Sequence, residues 1–404
     1  MPGRPPDPEG RLSEAPPRVD LDLSGVRTTD DACGLRPKVS VPSLPTRVAL
    51  VGCGAVAELS YAPALRVLSA EGLLEVGALV EPNAESSRRL ETAFPSARVH
   101  RDATALSGAT IDLAIVASPP RFHAEQTIRL LREGISVLCE KPMAATSLEA
   151  ESMIAASVEG KRILAVGLIR RFLPAARTIR AFLARGVLGD LQDFHFTEGG
   201  RFRWPTRSAD YFRPGAANGG VLADIGTHVL DLIVWWLGEP TDVRYEDDAM
   251  GGVELNCRAE LRFPAGFQGV VRLSRDCDLP SRCFIRGRKG SLLWSIDEPE
   301  HLTLHFEGVP WVVSGRLHDL TPASLQPGAG RRAANFEQSF VEQLRNVVAS
   351  VRGEEQPFVG GTEALAAVRL VESCYRHRTL MPMGWLNERE GARAETLSLQ
   401  DTVR

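Results

Sequence analysis

The sequence predicts two folded domains: a doubly wound α/β domain and then an α+β domain built on a mostly antiparallel, open-faced sheet. Three observations carry this. A chain of 404 residues exceeds the usual size of one domain. Over residues 46–168 short apolar runs alternate with helical patterns, the signature of a parallel sheet covered on both faces. After Gly189 the pattern changes to short strand-like segments separated by Gly, Pro and Asp.

The first apolar run, Val48-Ala49-Leu50-Val51, reads as a buried strand and leads into Gly52-Cys53-Gly54-Ala55-Val56-Ala57. Glycine at 52 permits a tight turn, Gly54 lets a pyrophosphate approach the backbone, and Ala57 lets the next helix pack closely. That helix begins near 55, and Pro63 should break or kink it. A strand at 74–80 ends in Glu81, where a carboxylate can accept hydrogen bonds from the ribose hydroxyls of a dinucleotide and repel a 2′-phosphate. NAD(H) is therefore favoured and NADP(H) remains possible, because Arg88 and Arg89 lie close by. Further elements are expected as helix 84–93, strand 112–117, helix 121–133 and strand 135–139.

The strand at 112–117 runs into Ser118-Pro119-Pro120-Arg121-Phe122-His123, a strand end where an open sheet holds its ligand. Ser118, Pro119 and His123 are candidate cofactor contacts; His123 either touches the cofactor or caps the helix start. The strand at 135–139 delivers Glu140 and Lys141 to the same crevice. Lysine is scarce here, standing only at 38, 141, 161 and 289. An ammonium at 141 can stabilise an oxygen that gains negative charge, or it can simply pair with Glu140. Thr146-Ser147-Leu148-Glu149 reads as a capping box for a helix over 147–159. Strand 163–167, the turn at Arg170-Arg171 and helix 174–185 follow.

The second domain is expected to carry strands at 190–198, 241–247, 254–263, 267–275, 282–287, 291–296, 301–306 and 310–314, with closing amphipathic helices at 335–352 and 362–377. A helical insertion, GGVLADIGTHVLD over 219–231, places Asp224, His228 and Asp231 at i, i+4 and i+7, opposite an apolar stripe. A carboxylate one turn from an imidazole suits a general acid/base, and equally a surface pair or an anchor. Residues 1–45, rich in Pro, Gly and charge, read as a disordered or loosely attached arm, and the polar stretch 386–404 as a loose tail.

Composition narrows the class. A net charge of −4 gives no footing for nucleic acid or an anionic membrane. No apolar run is long enough to span a bilayer, and the opening MPGRPPDPEGRLSEAPP has no apolar core to act as a secretory signal. Seven cysteines without a C-x-x-C pair point to a reducing cytoplasm and away from a metal or disulfide framework.

Taken in order, GCGAVA, SPPRFHAE, CEKPMA and GGVLADIGTHVLD resemble the Gfo/Idh/MocA oxidoreductases, over roughly residues 46–385. The resemblance implies a Rossmann NAD(P)-binding domain over 46–168 and a substrate and oligomerisation domain over 169–385 whose open sheet face builds a homodimer or homotetramer. It implies alcohol–ketone interconversion on a sugar, cyclitol or related polyol without a metal. Lys141 then matches the lysine that holds the reacting oxygen, His228 the proton carrier and Asp224 its companion, with Asp231 in support. Ile169 departs from the pattern, since many members carry a polar residue such as Asn there. Arg171, Arg203, Arg207 and Tyr211 are candidate substrate contacts. The loop from Arg201 to Pro214 carries four arginines among aromatics, more than a neutral polyol needs, which admits a phosphorylated, nucleotide-linked or acidic sugar. Redox-assisted glycoside cleavage and a non-catalytic dinucleotide sensor are the rival readings.

Overall fold

The computed structural model describes residues 19–20, 44–205, 219–316, 336–384 and 386–402. Six parallel strands form the first sheet, in the spatial order Arg98–His100, Leu74–Val80, Thr46–Val51, Leu113–Val116, Ser136–Cys139, Leu164–Val166. Numbered along the chain this is the order 3-2-1-4-5-6 of a dinucleotide-binding sheet, whose direction reverses beside the first strand. Helices cover both faces, which is why Val48 to Leu50 and Leu113 to Val116 are fully buried and read as unbroken apolar runs. The strand Arg98–His100 went unpredicted, since it is a three-residue edge strand, largely exposed and without an apolar pattern.

The expected disturbance at Pro63 takes a specific form. The chain winds as a π turn over Ala57–Tyr61 and continues as the α-helix Ala62–Ala70, with Pro63 in its first turn. A widened turn there accommodates the missing proline N–H without breaking the rod. At 146–149 the capping is nearly as expected: Thr146 Oγ1 accepts from the Glu149 amide at 3.2 Å, while the Glu149 carboxylate reaches past Thr146 to the Ala145 amide at 3.0 Å.

The second sheet has ten strands, and every strand-like segment of the sequence has its counterpart in it. Most neighbours are antiparallel; Leu191–Gly199 runs parallel to Gln268–Ser274, and Arg378–Leu380 runs parallel to Asp242–Asp247. One face is covered by the helices Pro174–Ala184, Thr227–Leu237 and Gly361–Arg376, whose Ile179, Leu232, Ile233 and Leu370 share a core with Phe194, Phe196 and Trp294. Residues 388–402, expected as a loose tail, form the helix Glu388–Thr402, and Ala394 on it is buried. Of the N-terminal arm, Val19–Asp20 pairs with Val313 and Ser314 at the sheet edge.

The domains are not simply joined end to end. The helix Phe336–Val351, far along the chain, packs on the first helix of the Rossmann domain, with Phe340 against Tyr61 at 5.2 Å between ring centroids. Leu344, Val347 and Val348 complete the first domain's core. The segment 336–351 therefore belongs by packing to the first domain.

Candidate active site

A cleft of about 1570 Å³ runs from the carboxyl ends of the parallel strands to the insertion helix. At its cofactor end Gly52 takes φ +93°, and a Cβ there would stand 2.6 Å from the Ser118 amide nitrogen. At Gly54 a Cβ would meet nothing within 4 Å. The turn thus leaves open backbone at the head of a helix, the surroundings a pyrophosphate needs. Gly54, Ala55 and Val56 line the cleft; Cys53 is buried outside the lining, and burial pushes its thiol up to about 12. What Cys53 contributes is its amide, which donates to Glu81 Oε2 at 2.9 Å, while Glu81 Oε1 accepts from the Asn83 amide at 3.0 Å. Glu81 therefore clasps the glycine turn and also lines the cleft. Arg88 and Arg89 are absent from the lining, and Arg89 is paired with Glu58 at 2.8 Å. The arginine nearest in sequence on the cleft wall is Arg101, just past the edge strand that the sequence pattern did not reveal.

Ser118 and Pro119 line the cleft as expected, with Ser118 Oγ donating to Gln126 Oε1 at 2.6 Å. His123 also lines the cleft, but its ring nitrogens are engaged behind it. It is 1% exposed, and its two ring nitrogens face the Pro142 carbonyl at 2.8 Å and the Ser118 carbonyl at 2.9 Å. It neither caps the helix nor offers a ring nitrogen to a ligand; it ties the loop after one strand to the loop carrying Lys141. Glu140 is buried as well: its Oε1 accepts from the Tyr61 hydroxyl at 2.6 Å and its Oε2 from the Lys141 amide at 3.0 Å. Burial raises its pKa.

The Lys141 ammonium crosses the cleft to Asp224, with Nζ 2.7 Å from Oδ1 and 3.3 Å from the Asp224 carbonyl. Burial, with Arg275 and Arg170 adding to it against the pull of Glu140, brings Lys141 down to about 8. Asp224 at 2.7 Å works the other way, so the amine is protonated at neutral pH. The second Asp224 oxygen is taken by the Arg275 guanidinium. His228 lines the same cleft, and burial, reinforced by the charges of Lys141 and Arg170, holds its pKa well below the usual imidazole value. Its Nδ1 has no hydrogen-bond partner among the described residues.

Asp224 thus does not orient His228 as the i, i+4 spacing suggested. Both side chains face the cleft, but the two Asp224 oxygens are committed to Lys141 and Arg275, which leaves neither for the imidazole. Asp231 is farther removed still. It is 1% exposed and holds Arg171 through bonds of 2.6 to 3.1 Å, and the same guanidinium lies over the Trp235 ring. Arg171, expected at the substrate, is therefore a buried structural cation, and its neighbour Arg170 lines the cleft, forked onto Glu198 at 2.6 and 2.7 Å. In the 3₁₀ turn Ile169–Phe172 adjacent residues point about a third of a turn apart, which the repeated arginine could not reveal. Ile169 lines the cleft with apolar surface, as do Arg201, Arg203 and Trp204 with theirs. Arg207 and Tyr211 lie outside the described residues. Arg275 and Glu198 were missed because each ends an ordinary-looking strand.

Residues 46–168 match the oxidoreductase family with an NAD-binding Rossmann fold, and residues 176–293 match the GFO/IDH/MocA C-terminal domain. The chain belongs to the Gfo/Idh/MocA family. D-glucoside 3-dehydrogenase of Escherichia coli is 31% identical over 50% of this chain and 57% of its own length. The rhizopine catabolism protein MocA of Rhizobium meliloti is 29% identical over 49% of this chain and 59% of its own. The matches thus span little more than half the length of these relatives. Levoglucosan dehydrogenase in complex with NADH and levoglucosan shares the fold, with TM-score 0.72 at 18% identity over 82% of this chain and 97% of that one. Among the described residues no helix is long and apolar enough to cross a membrane, and no group of His, Cys, Asp or Glu is placed to hold a metal ion.

Removing Arg171 would leave Asp231 charged, buried and alone. Arg171→Ala should cost about 3–5 kcal/mol in denaturant unfolding, as does breaking a buried ion pair elsewhere, and Asp231→Asn in that background should recover part of it.

Proposed function

We propose that this family member is an NAD(P)-dependent dehydrogenase or reductase acting on a CH–OH group of a sugar, cyclitol or sugar derivative. The observation that supports this most is the Lys141–Asp224 ion pair spanning the cleft beside a neutral His228. In the oxidation direction the Lys141 ammonium donates to the substrate oxygen and His228 takes the hydroxyl proton. Asp224 acts on Lys141, keeping it charged and aimed across the cleft. The nicotinamide cofactor, when bound against the Gly52–Val56 turn, supplies the hydride acceptor. Reduction runs the same proton path backwards.

A screen of polyols and ketosugars read by NADH absorbance tests the assignment. Lys141→Met and His228→Ala should each lower kcat by about two to four orders of magnitude, with dinucleotide affinity little changed. Because Lys141 sits near 8, kcat/KM should fall as pH rises through about 8, where the ammonium is lost. Wild-type turnover in both variants would remove the assignment.

NAD(H) should bind more tightly than NADP(H), since Glu81 faces the cleft where a 2′-phosphate would stand. Calorimetric titration of both decides it, and an NADP preference would direct attention to Arg101.

The substrate half of the cleft supports an anionic substrate. Arg201 and Arg203 stand exposed on the wall that Lys141 also lines. A phosphate or carboxylate on the sugar would take up that charge. Arg203→Ala should then raise KM for such a substrate and flatten the salt dependence of kcat/KM; equal use of a neutral analogue would give Arg203 a structural role.

A further inference from the structure

The two glycines that open the insertion helix have no part in that chemistry, yet both are required. Gly219 stands at φ +126°, and a Cβ on it would run into the Tyr375 hydroxyl. One on Gly220 would run into the backbone of Glu254. The head of the helix is pressed onto these two residues, and its amides show why. Glu254 Oε1 accepts from Gly220 N at 2.9 Å and Leu222 N at 3.0 Å, and the Glu254 carbonyl accepts from Val221 N at 3.0 Å. The Tyr375 oxygen accepts from Ala223 N at 3.2 Å and donates its own proton to Glu254 Oε1 at 2.7 Å. All four successive amides from 220 to 223, which a helix start leaves open, are filled from one point. Asp224, the next residue, begins the helical ladder by bonding back to the Gly220 carbonyl at 3.1 Å.

Glu254 itself is 1% exposed. Its Oε2 faces Arg378 at 3.5 Å, but Arg378 gives its Nε to Asp247, fully buried, at 2.6 Å. Tyr245 and Cys257 from the flanking strands and Tyr375 from the helix Gly361–Arg376 complete the titratable groups around it. Burial first, and then the charge of Asp247, push Glu254 up to about 7, against the bonds from Tyr375 and Leu222. A glutamate whose folded pKa lies above its unfolded value stabilises the fold below the unfolded pKa, and that contribution is lost as pH rises through about 7. The ionised form is thus kept at a cost in stability, while it is the stronger acceptor for amides.

We infer that Glu254 is a positioning residue for the reaction proposed above: by closing the head of the helix, its carboxylate sets where Asp224 and His228 stand against Lys141. It touches no substrate and acts only through the helix it holds. The inference rests on the assignment of Lys141, Asp224 and His228, so its test carries one readout that needs no turnover.

In the full-length enzyme, Glu254→Ala should lower kcat roughly 10- to 100-fold, the scale of a small misplacement of reacting groups, with dinucleotide affinity unchanged. Backbone amide exchange over residues 219–228 should quicken. Glu254→Gln keeps one neutral acceptor oxygen, as the protonated acid does, and should hold kcat and protection near the wild type's low-pH level at every pH, above those of the alanine variant. Wild-type kcat should decline as pH falls through about 7, a limb that Glu254→Gln lacks. Wild-type kcat and exchange in the alanine variant, or an unaltered acid limb in the glutamine variant, would overturn the inference. If Glu254→Ala does not fold, the pH profile of Glu254→Gln decides alone. Exchange that follows Glu254 in a protein that turns over no polyol would sink the proposed reaction and leave the clamp. Loss of activity in Lys141→Met with none of these effects at 254 would do the reverse.

Discussion

A single carboxylate, Asp224, joins the two domains where the chemistry would occur. It arrives on a helix of the second domain, accepts Lys141 from the first, and shares its other oxygen with Arg275 at the end of a strand. A buried ion pair adds little net stability, because desolvation offsets most of the attraction, but removing one partner is severe. The arrangement therefore fixes position more than it stabilises. Burial, reinforced by the charges of Lys141 and Arg170, keeps His228 neutral and able to accept a proton.

The rest of the packing serves to hold the two halves of that ion pair in register. Lys141 depends on a loop fastened from behind by His123 and by Glu140, which is itself held by Tyr61. Tyr61 in turn packs on Phe340, from a helix nearly three hundred residues further on. Across the cleft the insertion helix is gripped at its head by Glu254 and along its side by the Arg171–Asp231 pair. Both supports are buried and charged, and both act at a distance from any ligand. Loss of either would change the alignment of the cleft without changing its lining.

Local pattern made much of this legible. The glycine turn, the alternating strands and helices and the scarcity of lysine located the crevice and Lys141, since each follows from neighbours along the chain. The convergence of Lys141, Asp224 and His228 followed from resemblance, and the cleft contains all three. What failed was angular or long-range. Asp224 and His228 share a face as their spacing suggests, but Lys141 and Arg275 claim the carboxylate, and a 3₁₀ turn gives the cleft Arg170 in place of the expected Arg171. An amphipathic pattern says that Phe336–Val351 buries one side, but not that it buries it in the first domain.

Glu254 shows why such residues escape a sequence reading. It lies in a stretch expected as strand and precedes the strand Asn256–Arg262, so nothing nearby marks it as buried or charged for a purpose. The signal was elsewhere, in the pair Gly219-Gly220, which no ligand or turn in the sequence-level picture required. A glycine pair before a helix bearing candidate catalytic side chains implies something pressing on that helix start. The presser must carry acceptors, because four amides need filling. An acceptor strong enough to fill several at once, and buried, is most simply a carboxylate, and its burial raises its pKa toward neutrality. The same demand for a precisely held helix that excludes side chains at 219 and 220 thus places an ionisable group behind it, and makes the geometry of Asp224 and His228 sensitive to pH through a residue that neither of them touches.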